Sequence, residues 1–161
     1  MAYTTSLKVR FGDVDHAGIA YYPTIIDYLH RGFEDFWEGW MQTPYREVVD
    51  DHKVGFPSVD LCIQFRSPLR YGDQVDLAMH VQRLGRSSVT FAYVLSTPTG
   101  GKPRVCAEAT LTVVAVDMGT FTPIPVPSRY RRRLRACTAP ARAGIRRSAP
   151  MRAANRGHTR T

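Results

Sequence analysis

One stretch limits what this chain can become. PTIIDYLHRGFEDFWEGW, residues 23–40, sets Ile25, Ile26, Leu29, Phe33, Phe36, Trp37 and Trp40 at helical spacing on one broad, aromatic face. Elsewhere five segments alternate apolar and polar residues, the signature of half-buried strands. They are marked by Leu7, Val9 and Phe11; Val59, Leu61, Ile63 and Phe65; Val75, Leu77, Met79 and Val81; Val89, Phe91, Tyr93 and Leu95; and the alternate residues from Val105 to Ala115. A lone apolar helix among such strands can hide its face only if the sheet curves around it, so the expected class is α+β, with one long helix wrapped by a five-stranded antiparallel sheet. The connections SPLRYGD, LGRSS and TPTGGKP are short and rich in turn residues, which favours a meander. Gly32, in mid-helix, gives up about 1 kcal/mol relative to alanine and marks a close backbone approach. Residues 41–57 read as irregular, broken by Pro44, Gly55 and Pro57.

The chain has 161 residues, 43% of them hydrophobic, enough for one modest core. No run of about 18 apolar residues exists and MAYTTSLKVRFGD lacks the plan of a signal peptide, so no membrane association is expected and a cytoplasmic protein is. Cys62, Cys106 and Cys137 are too scattered for a disulfide framework or a zinc site. The net charge of +8 is unevenly placed. Every acid and half the basic residues precede residue 128, where the balance is 11 − 14 = −3; the other 11 basic residues, all arginine, lie beyond it. The reading is a domain over 1–130 and a basic, largely disordered tail over 131–161. Nucleic acid is a conceivable partner for that tail alone, which does not define the function.

Chemistry is concentrated in FGDVDHAGIAYYP, residues 11–23. Pro23 suits the first position of a helix, and the free N–H groups there, with the helix dipole behind them, suit a developing oxyanion near Tyr22. Asp15 can fold back toward that point across Gly18, and a carboxylate beside an oxyanion site fits acyl transfer. The alternative is that Asp13 and Asp15 only form Asx turns as the chain leaves its strand, with Gly18 at positive φ. A calcium loop fails because the fifth position is Ala17 and the twelfth Thr24, and a metal held by Asp13, Asp15 and His16 asks neighbouring loop residues to converge.

FGDVDHAGIAYYP before an amphipathic helix, with FRSPLRYGD opening a later hairpin, resembles the 4-hydroxybenzoyl-CoA thioesterase family of hotdog-fold proteins over residues 5–130. The resemblance implies acyl-CoA hydrolysis to a free acid and CoA, on an aromatic acyl group such as 4-hydroxybenzoyl or on a short-chain one, with no cofactor and no metal. By position it makes Asp15 the catalytic carboxylate, acting as nucleophile or as general base, and Tyr22 the residue whose backbone N–H polarises the thioester. His16, Gly18, Tyr21, Pro23, Arg86 and Ser87 fall at substrate- or CoA-binding positions; Gly85 and Ser87 stand where further basic residues would hold CoA phosphates. It also implies a homodimer joined sheet edge to sheet edge, paired into a homotetramer as a dimer of dimers, with shared sites. Asp27, Glu34 and Asp35 are alternative acids on the helix. A hotdog hydratase or dehydratase would want a histidine several residues beyond the aspartate, whereas His16 follows Asp15 directly; a non-catalytic acyl-CoA-binding protein would keep the pocket without needing Asp15.

Overall fold

Most of the aromatic stripe is buried: Ile25, Leu29, Phe33, Phe36 and Trp37 leave water, while Trp40 is half-buried and Ile26 is exposed. In the computed structural model, which describes residues 1–98 and 102–138, helix α1 (Tyr22–Gly39) lies against a five-stranded antiparallel sheet, as α+β and the hotdog arrangement demand. The sheet comprises β1 (Tyr3–Lys8), β3 (Ser58–Phe65), β4 (Gln74–Leu84), β5 (Ser88–Thr97) and β6 (Arg104–Val114), ordered β1-β4-β5-β6-β3. Phe33 and Phe36 stand edge-on to Phe91 of β5, with ring centres 5.7 and 5.4 Å away. Gly32 sits where α1 meets β4: a Cβ there would fall 2.7 Å from Leu77 Cδ2, so glycine allows the close approach.

Several expectations need correction. β1 ends at Lys8, opposite Gln74 at the start of β4; beyond that no strand remains to pair with, and Phe11 enters a 3-10 turn (Phe11–Asp13) with an exposed ring packed on Tyr71. The helix begins at Tyr22, so Pro23 is its second residue. Only β4, β5 and β6 form a meander. β3 and β4 are no hairpin: β3 pairs with β6, and residues 66–73 cross the sheet end from one side to the other. That crossing spans three strand spacings, about 14 Å, well within the reach of eight residues.

Residues 41–57 are not wholly irregular, since α2 (Tyr45–Asp50) buries Val48, and β2 (Val54–Gly55) pairs with β7 (Val116–Asp117). These elements are too short for periodicity to declare them. The ordered chain also runs past residue 130. Helix α3 (Ser128–Ala136) buries Tyr130 and Leu134, with Cys137 following, at spacings of four and three. The Cys137 carbonyl accepts the Val81 N–H at 3.0 Å, on the length of β4 that β1 does not reach. A 2.6 Å hydrogen bond between His52 Nδ1 and the Tyr130 hydroxyl ties α3 to the segment after α2. The boundary at 130–131 therefore falls inside a packed helix, hidden in the sequence by its arginines; residues 139–161, the rest of the expected tail, lie outside the described residues.

Leu134→Ala is expected to lower stability by about 2–5 kcal/mol in urea denaturation, the ordinary result of emptying a core leucine site. A change under about 0.5 kcal/mol, typical of an exposed residue, would contradict the packed helix.

Candidate active site

Where the crossing segment meets the loop leading into α1, the two are stitched together. Ala20 N–H donates to the Leu69 carbonyl at 2.8 Å, and Ile19 bridges Arg70. Between them opens a cavity of about 510 Å³, within the size range of small-molecule sites. Its walls include Ile19, Ala20, Ile25, Phe65, Leu69 and Ala107, with Arg66 and Ser67 adding polar groups. Asp15, Tyr21 and Tyr22 line it as well, so three of the residues singled out in the sequence share one space.

Local bonding explains how the loop is held. Asp15 N–H donates to the Ile19 carbonyl at 3.0 Å, Gly18 N–H to the Asp15 carbonyl at 2.9 Å, and Gly18 takes φ +73°, where a side chain would be strained. Asp15 Oδ1 accepts the Ala17 N–H at 2.8 Å, an Asx turn. The Asx reading and the catalytic reading are thus compatible, since among the described residues Oδ2 has no hydrogen-bond partner.

Asp13 does a different job. Its Oδ2 accepts both the Arg10 N–H and the Tyr28 hydroxyl, each at 2.7 Å, tying the loop to the buried face of α1. Burial and this hydrogen bond push the Tyr28 pKa above the ordinary tyrosine range, so the hydroxyl remains a donor.

At the helix start, Thr24 and Ile25 N–H groups return to the Tyr21 carbonyl, at 3.0 and 3.4 Å, and Pro23 has none to offer. Among the described residues, Tyr22 N–H has no partner. It stands at the positive end of α1, beside a cavity that holds a carboxylate.

His16, Gly18 and Pro23 flank the cavity without lining it; His16 is exposed and makes no hydrogen bond among the described residues. Arg86 and Ser87 are elsewhere. They occupy the β4–β5 turn, one length of β4 from the cavity, about 33 Å for eleven residues, so a single chain does not bring them to Asp15. The alternative acids on α1 are accounted for: Asp27 pairs with Arg31 at 2.7 Å, Glu34 with His30 at 3.4 Å, and Asp35 accepts the Thr5 hydroxyl. Among the described residues no group of three His, Cys, Asp or Glu is placed to hold a metal, and no helix is long and apolar enough to cross a membrane. Sequence reasoning missed Phe65 to Leu69 and Ala107 as cavity walls, because only the crossing of the sheet end brings them opposite the loop.

Residues 9–134 match the thioesterase-like superfamily. The chain belongs to that family. Among its relatives, a 1,4-dihydroxy-2-naphthoyl-CoA hydrolase of Nostoc punctiforme is 26% identical over 93 residues, a match spanning 58% of this chain and 62% of the relative. The long-chain acyl-CoA thioesterase FadM of Escherichia coli is 25% identical, across 81% of this chain and 95% of FadM. Of solved structures, a gentisyl-coenzyme A thioesterase superposes with a TM-score of 0.71 at 27% identity, covering 80% of this chain and 99% of the other. A 4-hydroxybenzoyl-CoA thioesterase bound to 4-hydroxybenzoyl-CoA gives 0.76 at 23% identity, covering 85% and 99%, a likeness of fold.

Asp13→Ala leaves the Tyr28 hydroxyl unpaired and is expected to lower stability by about 1–3 kcal/mol in urea denaturation. His16→Ala should change it by about 0.5 kcal/mol or less. Equal effects would remove the distinction between the tie and the exposed loop residue.

Proposed function

We propose that this protein hydrolyses acyl-CoA thioesters to a free acid and CoA. The observation that carries the reading is the meeting, in one largely apolar cavity, of the Asp15 carboxylate and the unpartnered N–H of Tyr22 at the start of α1. The thioester oxygen takes the Tyr22 N–H as it gains charge, with the helix dipole behind it. Asp15, held by its Asx turn with Oδ2 left over, either attacks the carbonyl carbon, expelling CoA and leaving a mixed anhydride that water then hydrolyses to the free acid and the Asp15 carboxylate, or draws the proton from a water that attacks the carbonyl and passes it to the departing CoA sulfur. No cofactor or metal takes part in the proposed reaction.

An aromatic acyl group is the favoured substrate class. Tyr21, Tyr22 and Phe65 surround the cavity, and relatives named for naphthoyl-CoA and gentisyl-CoA support the choice; a short-chain acyl group is the lesser alternative. The working form is proposed to be a homodimer joined along β3 and paired into a homotetramer. β3 is an edge strand that leaves Val59 and Phe65 60% and 57% exposed, an apolar margin with unpaired backbone groups beside the cavity.

The test is thiol release from benzoyl, phenylacetyl, short-chain and long-chain CoA esters. Asp15→Asn is expected to reduce kcat at least about 100-fold, the scale of losing one oxyanion donor, with the fold intact by circular dichroism. Retention of more than about a tenth of the rate would sink the assignment. An acyl-CoA-binding protein without catalysis would bind these esters and release no thiol.

A further inference from the structure

Residues 13–21 form a narrow ribbon that leads into α1. Tyr21 N–H donates to the Asp13 carbonyl at 3.3 Å and Asp15 N–H to the Ile19 carbonyl at 3.0 Å, with Val14 and Ala20 bridged between them. That is the register of two short antiparallel arms, closed by the turn that Gly18 permits at φ +73°. Asp15 stands at the closed end. At the open end Tyr21 is the cap of α1, and the next N–H along the chain is the unpartnered one of Tyr22. The angle between ribbon and helix therefore decides how the Asp15 carboxylate and the Tyr22 N–H stand to one another.

Backbone bonds to Leu69 and Arg70 fasten the ribbon to the crossing segment, not to α1. The helix holds it through a side chain: the Tyr28 hydroxyl donates to Asp13 Oδ2 at 2.7 Å. Tyr28 lies six residues, about 9 Å, along α1 from Tyr22, and helical side chains lean toward the N-terminus, so its hydroxyl reaches back to the open end of the ribbon. Its ring is 2% exposed within the core, which makes the hydroxyl a fixed point. Asp13 passes the constraint on. The same Oδ2 takes the Arg10 N–H, and the Asp13 carbonyl takes the N–H of Tyr21. A continuous chain of bonds thus runs from the core, through Asp13, to the residue whose carbonyl shares a peptide plane with the Tyr22 N–H.

We infer that Tyr28 is a positioning residue for thioester hydrolysis, aiming the Tyr22 N–H, through Asp13, at the carbonyl that Asp15 attacks. The inference rests on the hydrolase reading above. Tyr28 does not line the cavity, so it acts on the alignment of the reacting groups and leaves the walls that hold the ester as they are. A misplacement of about 1 Å in such an alignment costs roughly 100-fold in rate.

The test compares Tyr28→Phe, Asp13→Asn and Leu134→Ala by thiol release, at a temperature where each is folded by circular dichroism, and by the amide spectrum of protein labelled with ¹⁵N-tyrosine. Tyr28→Phe keeps the buried ring and loses only the hydroxyl. It is expected to lower kcat roughly tenfold to a hundredfold with KM within about threefold, and to move or broaden the Tyr22 amide signal. Asp13→Asn keeps an oxygen for the hydroxyl and should hold kcat within about threefold of the parent. Leu134→Ala, which weakens the packing of α3, should leave both kcat and the Tyr22 amide unchanged. A Tyr28→Phe kcat within about threefold of the parent would overturn the proposal, as would an equal fall in Leu134→Ala, which would mark a general loss of stability. If the parent releases no thiol, a Tyr22 amide moved by Tyr28→Phe keeps the positioning chain and removes the hydrolase reading; an amide left in place in an active parent does the reverse.

Discussion

The face of α1 that carries Phe33, Phe36 and Trp37 has to leave water, and the concave side of the sheet is what receives it. Each such side chain contributes about 1.5–3 kcal/mol when buried, so together they fix the helix axis against β4 and β5. With the axis fixed, the helix start has one place to be, at the end of the sheet where β3 finishes and β6 begins. Ile25 joins the two demands, belonging to the core and also lining the cavity. The chemical group at the head of α1 is thus located by hydrophobic burial some turns away, and Asp13 pins the loop to the same helix through Tyr28.

A helix covers a limited width of sheet, and β3 lies beyond it. Leu61 and Phe65 face the helix side, as shown by their pairing with the buried Leu111 and Ala107 of β6, yet both are exposed. An apolar strand placed outside the cover of its own helix is chemically unfinished in the single chain, and it borders the cavity. The proposed pairing of copies would cover it. Asp15 lies at one end of the sheet and Arg86 at the other.

The sequence disclosed what depends on short-range periodicity and little that depends on where strands go. α1 and the five main strands were legible because their apolar spacing is long and regular. The order β1-β4-β5-β6-β3 was not, since SPLRYGD has the composition of a hairpin turn while serving as a crossing. α3 was obscured because five arginines outweigh Tyr130, Leu134 and Cys137 in any compositional reading, although their spacing carried the signal. Of the residues that line the cavity, Asp15, Tyr21 and Tyr22 could be named together because they are local to one loop, whereas Phe65, Leu69 and Ala107 join them only through the tertiary crossing. Asp13 could be placed among turn residues, but nothing local names Tyr28, fifteen residues on, as its partner.

The central claim is that the Tyr22 N–H and the dipole of α1 polarise a thioester carbonyl presented to Asp15. The direct measurement is the infrared stretch of a ¹³C-labelled carbonyl in an aromatic acyl-CoA bound to Asp15→Asn, which should hold the ester intact. A shift to lower frequency relative to the same ester in water is the predicted result, because a hydrogen bond aimed at the oxygen weakens the C=O bond. A carbonyl band at its solution frequency, in a complex shown to be saturated, would contradict the account.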